Sequence, residues 1–135
     1  MSPAPFDVEK AQYVNLATYR RSGAEVRTPV WIAGSGTRYF VFSEGKAGKV
    51  KRIRANGRAR IARCDLRGTV SSGWIDARAE IVDDPSVIAR AYAEFYAKYG
   101  LRVRIADLFS KLTGRYRRRA MLCLTLLAPS PGVEA

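Results

Sequence analysis

The chain has 135 residues, of which 47% are hydrophobic, so it is long and apolar enough to form a domain with its own core and is not a disordered chain. Its 24 Lys and Arg against 12 Asp and Glu give a formal net charge of +12, which favours anionic partners without naming one. Histidine is absent, which excludes a Ser-His-Asp triad and the usual His-containing zinc sites, so chemistry here would fall to a cofactor.

Alternating hydrophobic residues at the start of the chain predict strands. Residues 12–20 and 24–33 each place every second side chain on one apolar face. Pro29 lies within the second run and cannot donate a hydrogen bond to a neighbouring strand. We therefore expect the second strand to lie at a sheet edge or to be unpaired around Pro29.

A tight turn and a helix follow these strands. The Gly-Ser-Gly sequence at 34–36 predicts a hairpin turn into a third strand over 37–43. Residues 46–56 then show a narrow apolar stripe, Val50 and Ile53, between cationic positions. This pattern predicts a short amphipathic helix.

The second half of the chain continues with two more strands, over 58–64 and 73–82. In the latter strand, Trp74 lies on the face opposite the apolar residues. A tryptophan of the core normally shares the apolar face, so this position indicates a subunit interface or the edge of a ligand site.

Two helices and a last strand complete the predicted elements. Asp84 and Pro85 form a typical helix start, and Gly100 a typical end. The helix between them carries an aromatic face that we interpret as core. A second amphipathic helix places Ile105, Leu108, Phe109 and Leu112 on one side, and residues 119–128 predict a buried strand.

The order of these elements predicts a mainly β protein. Strands dominate and most connections are short, which indicates an antiparallel β-barrel with helices packed at its ends. We find no linker or repeat, so we expect a single domain over 1–135 with flexible ends at 1–9 and 129–135.

The remaining features of the sequence indicate a compartment. Cys64 and Cys123 show no disulfide-rich spacing, as expected of free thiols in a reducing environment. The N-terminal sequence is not that of a signal peptide, and the longest apolar run, 120–128, is shorter than the ~20 residues that span a bilayer. We expect a cytoplasmic protein without a membrane partner.

The most basic segment, GKAGKVKRIRANGRARIAR at 45–63, contains eight Lys or Arg and no acid. Three interpretations stay open. It could be a solvated helix face. It could be a phosphate site, because Ser43 ends a strand and Lys46, Lys49 and Arg52 share one face at a helix start. It could also bind nucleic acid, together with the cluster RYRRR at 115–119, although no known nucleic-acid motif is present.

Four segments in order resemble a known family: TPVW at 28–31, the strand-ending Ser43, GKVKRIR at 48–54 and RCDLRG at 63–68. They are similar to those of the pyridoxamine 5′-phosphate oxidase-like split barrels, and most of all to the short branch of deazaflavin (coenzyme F420)-dependent oxidoreductases. The resemblance extends over residues 10–128. It implies a split, FMN-binding-like antiparallel β-barrel and a homodimer with its cofactor sites between the subunits.

The resemblance also implies a site and an activity. The cofactor phosphate would contact the strand-ending serine and the following helix, the flat ring would lie along the second strand, and Trp74 would come from the partner subunit. The cofactor-binding residues implied in this way are Thr28, Pro29, Val30, Trp31, Ser43, Lys49, Lys51, Arg52 and Trp74. No catalytic side chain and no metal ligand is implied.

We therefore expect an enzyme, an oxidoreductase that transfers a hydride between F420 or FMN and a small molecule of unknown structure. The alternatives are a basic nucleic-acid-binding module and a protein that binds the cofactor without turnover. The resemblance does not distinguish F420 from FMN, because both carry a flat ring system and a phosphate.

Overall fold

The computed structural model describes residues 5–45, 47–113 and 119–127, except for the side chains of residues 109, 110 and 113. This part of the chain contains seven strands and three helices in the following order: β1 (Tyr13–Tyr19), β2 (Glu25–Val30), β3 (Ala33–Ser35), β4 (Arg38–Glu44), α1 (Gly48–Ala55), β5 (Arg58–Cys64), β6 (Ile75–Val82), α2 (Pro85–Tyr99), α3 (Leu101–Thr113) and β7 (Arg119–Leu126).

All seven strands belong to one antiparallel sheet in the order β2-β1-β5-β6-β7-β4-β3. The sheet curls into a half-barrel whose two edges are β2 and β3. The predicted fold class, a mainly β antiparallel split barrel, is confirmed. The expectation for Pro29 is also confirmed, because β2 is an edge strand and Pro29 faces Asn15 of β1.

The sheet packs against apolar residues on both of its faces, and β4 shows this most simply. Tyr39 and Val41 point into the barrel core, whereas Phe40 and Phe42 point to the other face and contact the α2 cluster. Helix α2 thus lies over the outer face of the sheet. The sequence had predicted helices at the ends of the barrel instead. The reason is that β4 has a second apolar face, formed by Phe40 and Phe42, and α2 partly buries the side chains on this face.

Helix α1 is the element that extends the barrel core. Its stripe residues, Val50 and Ile53, are buried in the same cluster as the strand residues, as predicted. Phe6 and Val8, which lie in the N-terminal segment predicted to be flexible, belong to this cluster as well. The core of the barrel is therefore built from both the strands and the segments before and between them.

The predicted hairpin is present, because β3 and β4 pair antiparallel, but its turn does not lie at 34–36 as predicted. The structure places residue 34 in β3, and the turn follows at Gly36 and Thr37. Gly34 has φ +144°, and a Cβ there would lie 2.4 Å from the carbonyl oxygen of Arg38. The glycine is thus required by the close approach of β4 and not by a turn. The predicted strand over 24–33 is interrupted at residues 31 and 32.

Helix α2 begins and ends as predicted. The side chain of Asp84 accepts a hydrogen bond from the Ser86 N–H at 2.9 Å, and Pro85 is the first helical residue. Gly100 follows the last turn with φ 58°, a conformation that favours glycine. The aromatic face of α2 packs into the second cluster, so the interpretation of that face as core is confirmed.

Helix α3 has the predicted apolar side, but this side faces away from the protein. Ile105, Leu108 and Leu112 are exposed, and the side chain of Phe109 lies outside the described residues. Val103 and Asp107 are buried instead. The Asp107 carboxylate accepts hydrogen bonds from Arg119 of β7 at 2.7 Å and from the Tyr96 hydroxyl, which fixes this polar side against the sheet and α2.

Some predicted features fall outside the described residues. These are residues 1–4 and 129–135 of the predicted flexible ends, Lys46 of the predicted phosphate site, residue 128 of the predicted last strand, and residues 115–118 of the second basic cluster. Within the described part, none of the helices combines the length and the apolar character needed to cross a bilayer.

Candidate functional site

A cavity of about 330 Å³ lies where edge strand β2, the end of β4 and the start of α1 meet. We call it the Trp31 cavity. The residues that line it are Tyr13, Pro29, Val30, Trp31, Phe42, Ser43, Lys49 and Leu66. Other cavities of similar volume exist, including one of about 380 Å³ between the β3–β4 hairpin and α2, but it contains none of the predicted site residues. The Trp31 cavity is therefore the candidate site.

An aromatic stack forms the flat wall of the Trp31 cavity. The Trp31 ring stacks on Tyr99 of α2 with centroids 5.0 Å apart and an interplanar angle of 17°, and it meets Phe42 edge-on at 6.3 Å. Because the stack joins the interrupted edge strand to the covering helix, the indole is fixed from behind and its other side is available to the cavity.

Hydrogen bonds fix the Tyr99 side of this stack. The Tyr99 hydroxyl accepts from the Ile32 N–H at 3.1 Å and donates to the Gln12 carbonyl oxygen at 2.7 Å. Burial raises the pKa of Tyr99 to about 12, so the hydroxyl keeps its proton and remains a donor. The Ile32 N–H is thus bound to the Tyr99 side chain, and the Ile32 carbonyl oxygen accepts a hydrogen bond from the Lys98 ammonium at 2.7 Å. Side chains therefore take up the backbone groups of residue 32, where the strand is interrupted beside Trp31.

Another part of the cavity lining is cationic. Ser43 lies in β4 just before α1, and Lys49 lies in the first turn of α1. Burial lowers the pKa of the Lys49 ammonium below its usual range, and the nearby charge of Arg52 acts in the same direction. No hydrogen bond joins either side chain to another described residue. This part of the cavity can therefore bind an anion, which would compensate the desolvated charge.

A loop between β5 and β6 forms the outer rim. Asp65 accepts hydrogen bonds from the N–H groups of Arg67 and Thr69, both at 2.9 Å, and the Asn15 side chain donates to the Gly68 carbonyl at 2.6 Å. This loop places Leu66, an exposed leucine, at the mouth of the cavity. The rim is thus apolar although it is open to solvent.

The structure brings five of the nine predicted site residues together in the Trp31 cavity: Pro29, Val30, Trp31, Ser43 and Lys49. Thr28 is adjacent in β2 but does not line the cavity, and Lys51 is exposed. Arg52 turns toward the barrel, where its Nε donates to the buried Thr18 hydroxyl at 2.7 Å. The helix spacing therefore separates Lys51 from Lys49, whereas Arg52 shares the Lys49 face and is kept out of the cavity lining by its bond to Thr18.

Trp74 does not line the Trp31 cavity. It lies directly before β6, whereas the sequence predicted it within that strand. The guanidinium groups of Arg27 and Arg60 lie 4.7 Å and 4.3 Å from its ring centroid. Glu25 accepts hydrogen bonds from both arginines, which holds the pKa of its carboxyl at about 2. Trp74 thus belongs to an Arg-Glu cluster on the outer face of the sheet.

Three cavity residues were missed from the sequence: Tyr13, Phe42 and Leu66. Phe42 could have been found, because it alternates with Val41 in the strand that ends at Ser43, and alternation assigns it to the face away from the barrel core. The positions of Tyr13 and Leu66 depend on how the sheet curls and how the 65–69 loop folds, for which the sequence carries no local signal.

The single antiparallel sheet, curled into a half-barrel and accompanied by three helices in the described residues, defines the split-barrel fold. A family model described as pyridoxamine 5′-phosphate oxidase matches residues 5–125. The chain belongs to this family. None of the curated proteins compared with it matches the chain.

Solved structures share the fold at low sequence identity. HutZ, a haem storage protein from Vibrio cholerae, aligns with a TM-score of 0.67 and 15% identity over 90% of this chain and 86% of its own. An F420 reductase aligns with a TM-score of 0.58 and 18% identity over 95% and 97%. An FAD-binding protein from Mesorhizobium loti aligns with a TM-score of 0.60 and 16% identity over 90% and 83%. Proteins that share this fold thus include ones named for haem, F420 and FAD.

Proposed function

We propose that the Trp31 cavity binds FMN or coenzyme F420, and that the protein is an oxidoreductase that uses this cofactor to transfer a hydride to or from a small molecule. One observation carries the proposal. A single cavity has a fixed flat aromatic wall at Trp31 and a cationic part at Ser43 and Lys49. A flat ring system joined to a phosphate has the complementary arrangement.

The residues present fit such a group. Lys49 and the Ser43 hydroxyl would bind the phosphate, and the backbone of the edge strand at Pro29 and Val30 would lie along the ring. When bound, the cofactor supplies the hydride chemistry. The chain's own contribution is to orient the ring, to neutralise the phosphate and to exclude water from the aromatic side.

The lining of the cavity provides no carboxylate, and the sequence contains no histidine. We therefore assign no general base, and we place the substrate at the open side of the cavity, near the Leu66 rim. The substrate itself stays unassigned.

We further propose that the functional unit is a homodimer in which a second copy closes this open side. The family resemblance supports this, as does the position of Trp74 on the outer face of the sheet, from which it could approach a partner's cavity. Sedimentation at micromolar concentration should then give a mass of about 30 kDa, twice the 15.0 kDa of the chain. A monomer that still binds the cofactor would contradict the dimer.

The proposal is tested by titrating the purified protein with F420, FMN, haemin and a random DNA duplex at physiological salt. Saturable binding of F420 or FMN, with quenching of the tryptophan fluorescence, is the expected result. Binding of the duplex alone would support a basic nucleic-acid-binding module, and binding of haemin alone would support a haem-handling role. Either outcome would overturn the proposed cofactor.

The oxidoreductase activity needs a separate measurement. The loaded protein should change the absorbance of the reduced cofactor when candidate electron acceptors are added. If the cofactor binds tightly but no acceptor in a broad screen is reduced, the protein binds the cofactor without turnover and the enzymatic half of the proposal is wrong.

A further inference from the structure

Four large apolar side chains form a continuous exposed stripe along α3. Leu101, Ile105, Leu108 and Leu112 are 69%, 47%, 58% and 74% exposed, respectively. Their spacing of four, three and four residues places them on one face of the helix. We call them the α3 stripe. Single exposed leucines are ordinary, but a contiguous apolar stripe of this kind marks a surface that contacts something else.

The opposite side of α3 is occupied by the protein itself. Val103 is fully buried there, and Asp107 is bound to Arg119 and Tyr96. The helix therefore cannot turn its stripe inward without breaking a buried ion pair. The exposure of the stripe follows from how α3 is attached to the sheet.

The charges beside the α3 stripe are positive. Arg102 and Arg104 are exposed in the first turn and Lys111 in the last, whereas the helix has one acid, Asp107, which is buried and paired. The outer surface of α3 thus combines apolar residues with cations and has no exposed carboxylate of its own.

We propose that the α3 stripe docks onto an anionic lipid surface, with the helix axis parallel to the membrane plane. Apolar residues would enter the boundary between headgroups and acyl chains, and Arg104 and Lys111 would contact anionic headgroups. This departs from the expectation that the protein has no membrane partner, which rested on the lack of a spanning segment. Peripheral docking needs no such segment.

Two considerations favour lipid over a second copy of the chain. A stable dimer interface buries ~800 Å² on each partner, which is more than one stripe of four side chains provides. Two copies of α3 packed along their stripes would also bring their cations together, at a cost in repulsion. Anionic headgroups are complementary to the same charges. The proposal does not depend on the cofactor.

The test is flotation of the full chain with vesicles of phosphatidylcholine alone and of phosphatidylcholine mixed with phosphatidylglycerol. The wild-type protein should float with the anionic vesicles only. Leu108→Gln combined with Leu112→Gln should weaken this binding at least tenfold, because both leucines insert. Arg104→Gln should weaken it about fivefold, the effect of one cation near an anionic surface.

Matched control variants distinguish binding through the α3 stripe from nonspecific hydrophobic binding and from nonspecific attraction by the positive net charge. Leu127→Gln changes a leucine as exposed as Ile105 (47%) but outside α3, and Arg78→Gln removes one exposed cation from β6. Both should float like the wild type, and all variants should unfold at the wild-type denaturant midpoint.

If no vesicle binds the wild type, or if the controls lose binding equally, the proposal is wrong. If the double variant instead abolishes self-association in sedimentation, the stripe is a protein interface and the lipid assignment is overturned.

Discussion

Helices α1 and α3 carry similar sequence patterns and have opposite environments. Both are short, basic and amphipathic, with an apolar stripe between cations. In α1 the stripe is buried in the barrel core, and the cation Lys49 lies in the Trp31 cavity. In α3 the stripe is exposed, and a buried ion pair fixes the other side. The comparison teaches that periodicity identifies an apolar face but does not tell whether the chain's own core or another surface covers it.

The largest expected effect comes from the ion pair that fixes α3. Asp107→Ala should destabilise the protein by about 3–5 kcal/mol, because the guanidinium of Arg119 stays buried without its carboxylate. Urea denaturation measures this. Replacing both partners, Asp107→Leu with Arg119→Met, should cost much less. An equal loss in both variants would show that α3 is fixed by packing and not by the pair.

The second prediction compares the same substitution in both helices. Ile53 of α1 is 3% exposed and Ile105 of α3 is 47% exposed. Ile53→Ala should cost ~2–5 kcal/mol in unfolding free energy, since it leaves a cavity in the barrel core. Ile105→Ala should change the unfolding free energy by no more than about 0.5 kcal/mol, since the exposed side chain makes few contacts within the protein. Similar losses at both positions would mean that the α3 stripe is covered within the monomer.

The third prediction concerns an ion-pair cluster that is half exposed, in contrast to the pair beneath α3. Glu25 has a pKa of about 2, mainly because of its hydrogen bond from Arg60. A carboxyl whose pKa is lower in the folded state stabilises the fold above its unfolded pKa of about 4.5, and this contribution is lost as the pH falls toward 2. Because solvent screens these partly exposed charges, it should amount to only about 1 kcal/mol at neutral pH.

Unfolding curves recorded between pH 2 and 7 should therefore show wild-type stability falling in that window. Glu25→Gln should be less stable at pH 7 and should respond less to acid. If the wild type and the variant lose stability in parallel as the pH falls, Glu25 does not supply the pH dependence, and solvent screening outweighs its contacts with the arginines.

The sequence alone predicts those parts of the fold that depend on local periodicity and caps. The alternation in β1, β5 and β6, and the cap at Asp84, each have a signal within a few residues. The interruption at Trp31 does not, since it depends on Tyr99, which is 68 positions away in the chain. The same limit applies to the outward turn of the α3 stripe, which is set by the contact between Asp107 and Arg119.

For the candidate site, too, the sequence predicts some residues correctly as neighbours but not the side-chain directions that depend on the fold. The family resemblance led to Pro29, Val30, Trp31, Ser43 and Lys49, which the structure brings into one cavity. It also led to Lys51 and Arg52, which do not line the cavity. Lys51 is two positions from Lys49 and lies on another face of the helix. Arg52 is three positions from Lys49 and shares its face, but its side chain is bound to Thr18. One cation of the basic run, Lys49, lines the cavity, and the sequence alone does not tell which of the cations does so.

The most direct test of the proposed site is the affinity of the Lys49→Ala variant for F420 and FMN, beside Arg54→Ala, which removes an exposed cation from the same helix outside the cavity. A charge-assisted hydrogen bond to phosphate contributes ~1.5–3 kcal/mol, so Lys49→Ala should weaken binding roughly tenfold to a hundredfold. Arg54→Ala should bind like the wild type, and both should fold normally. Equal weakening by the two variants would show a diffuse basic surface and would contradict a specific phosphate site at Lys49.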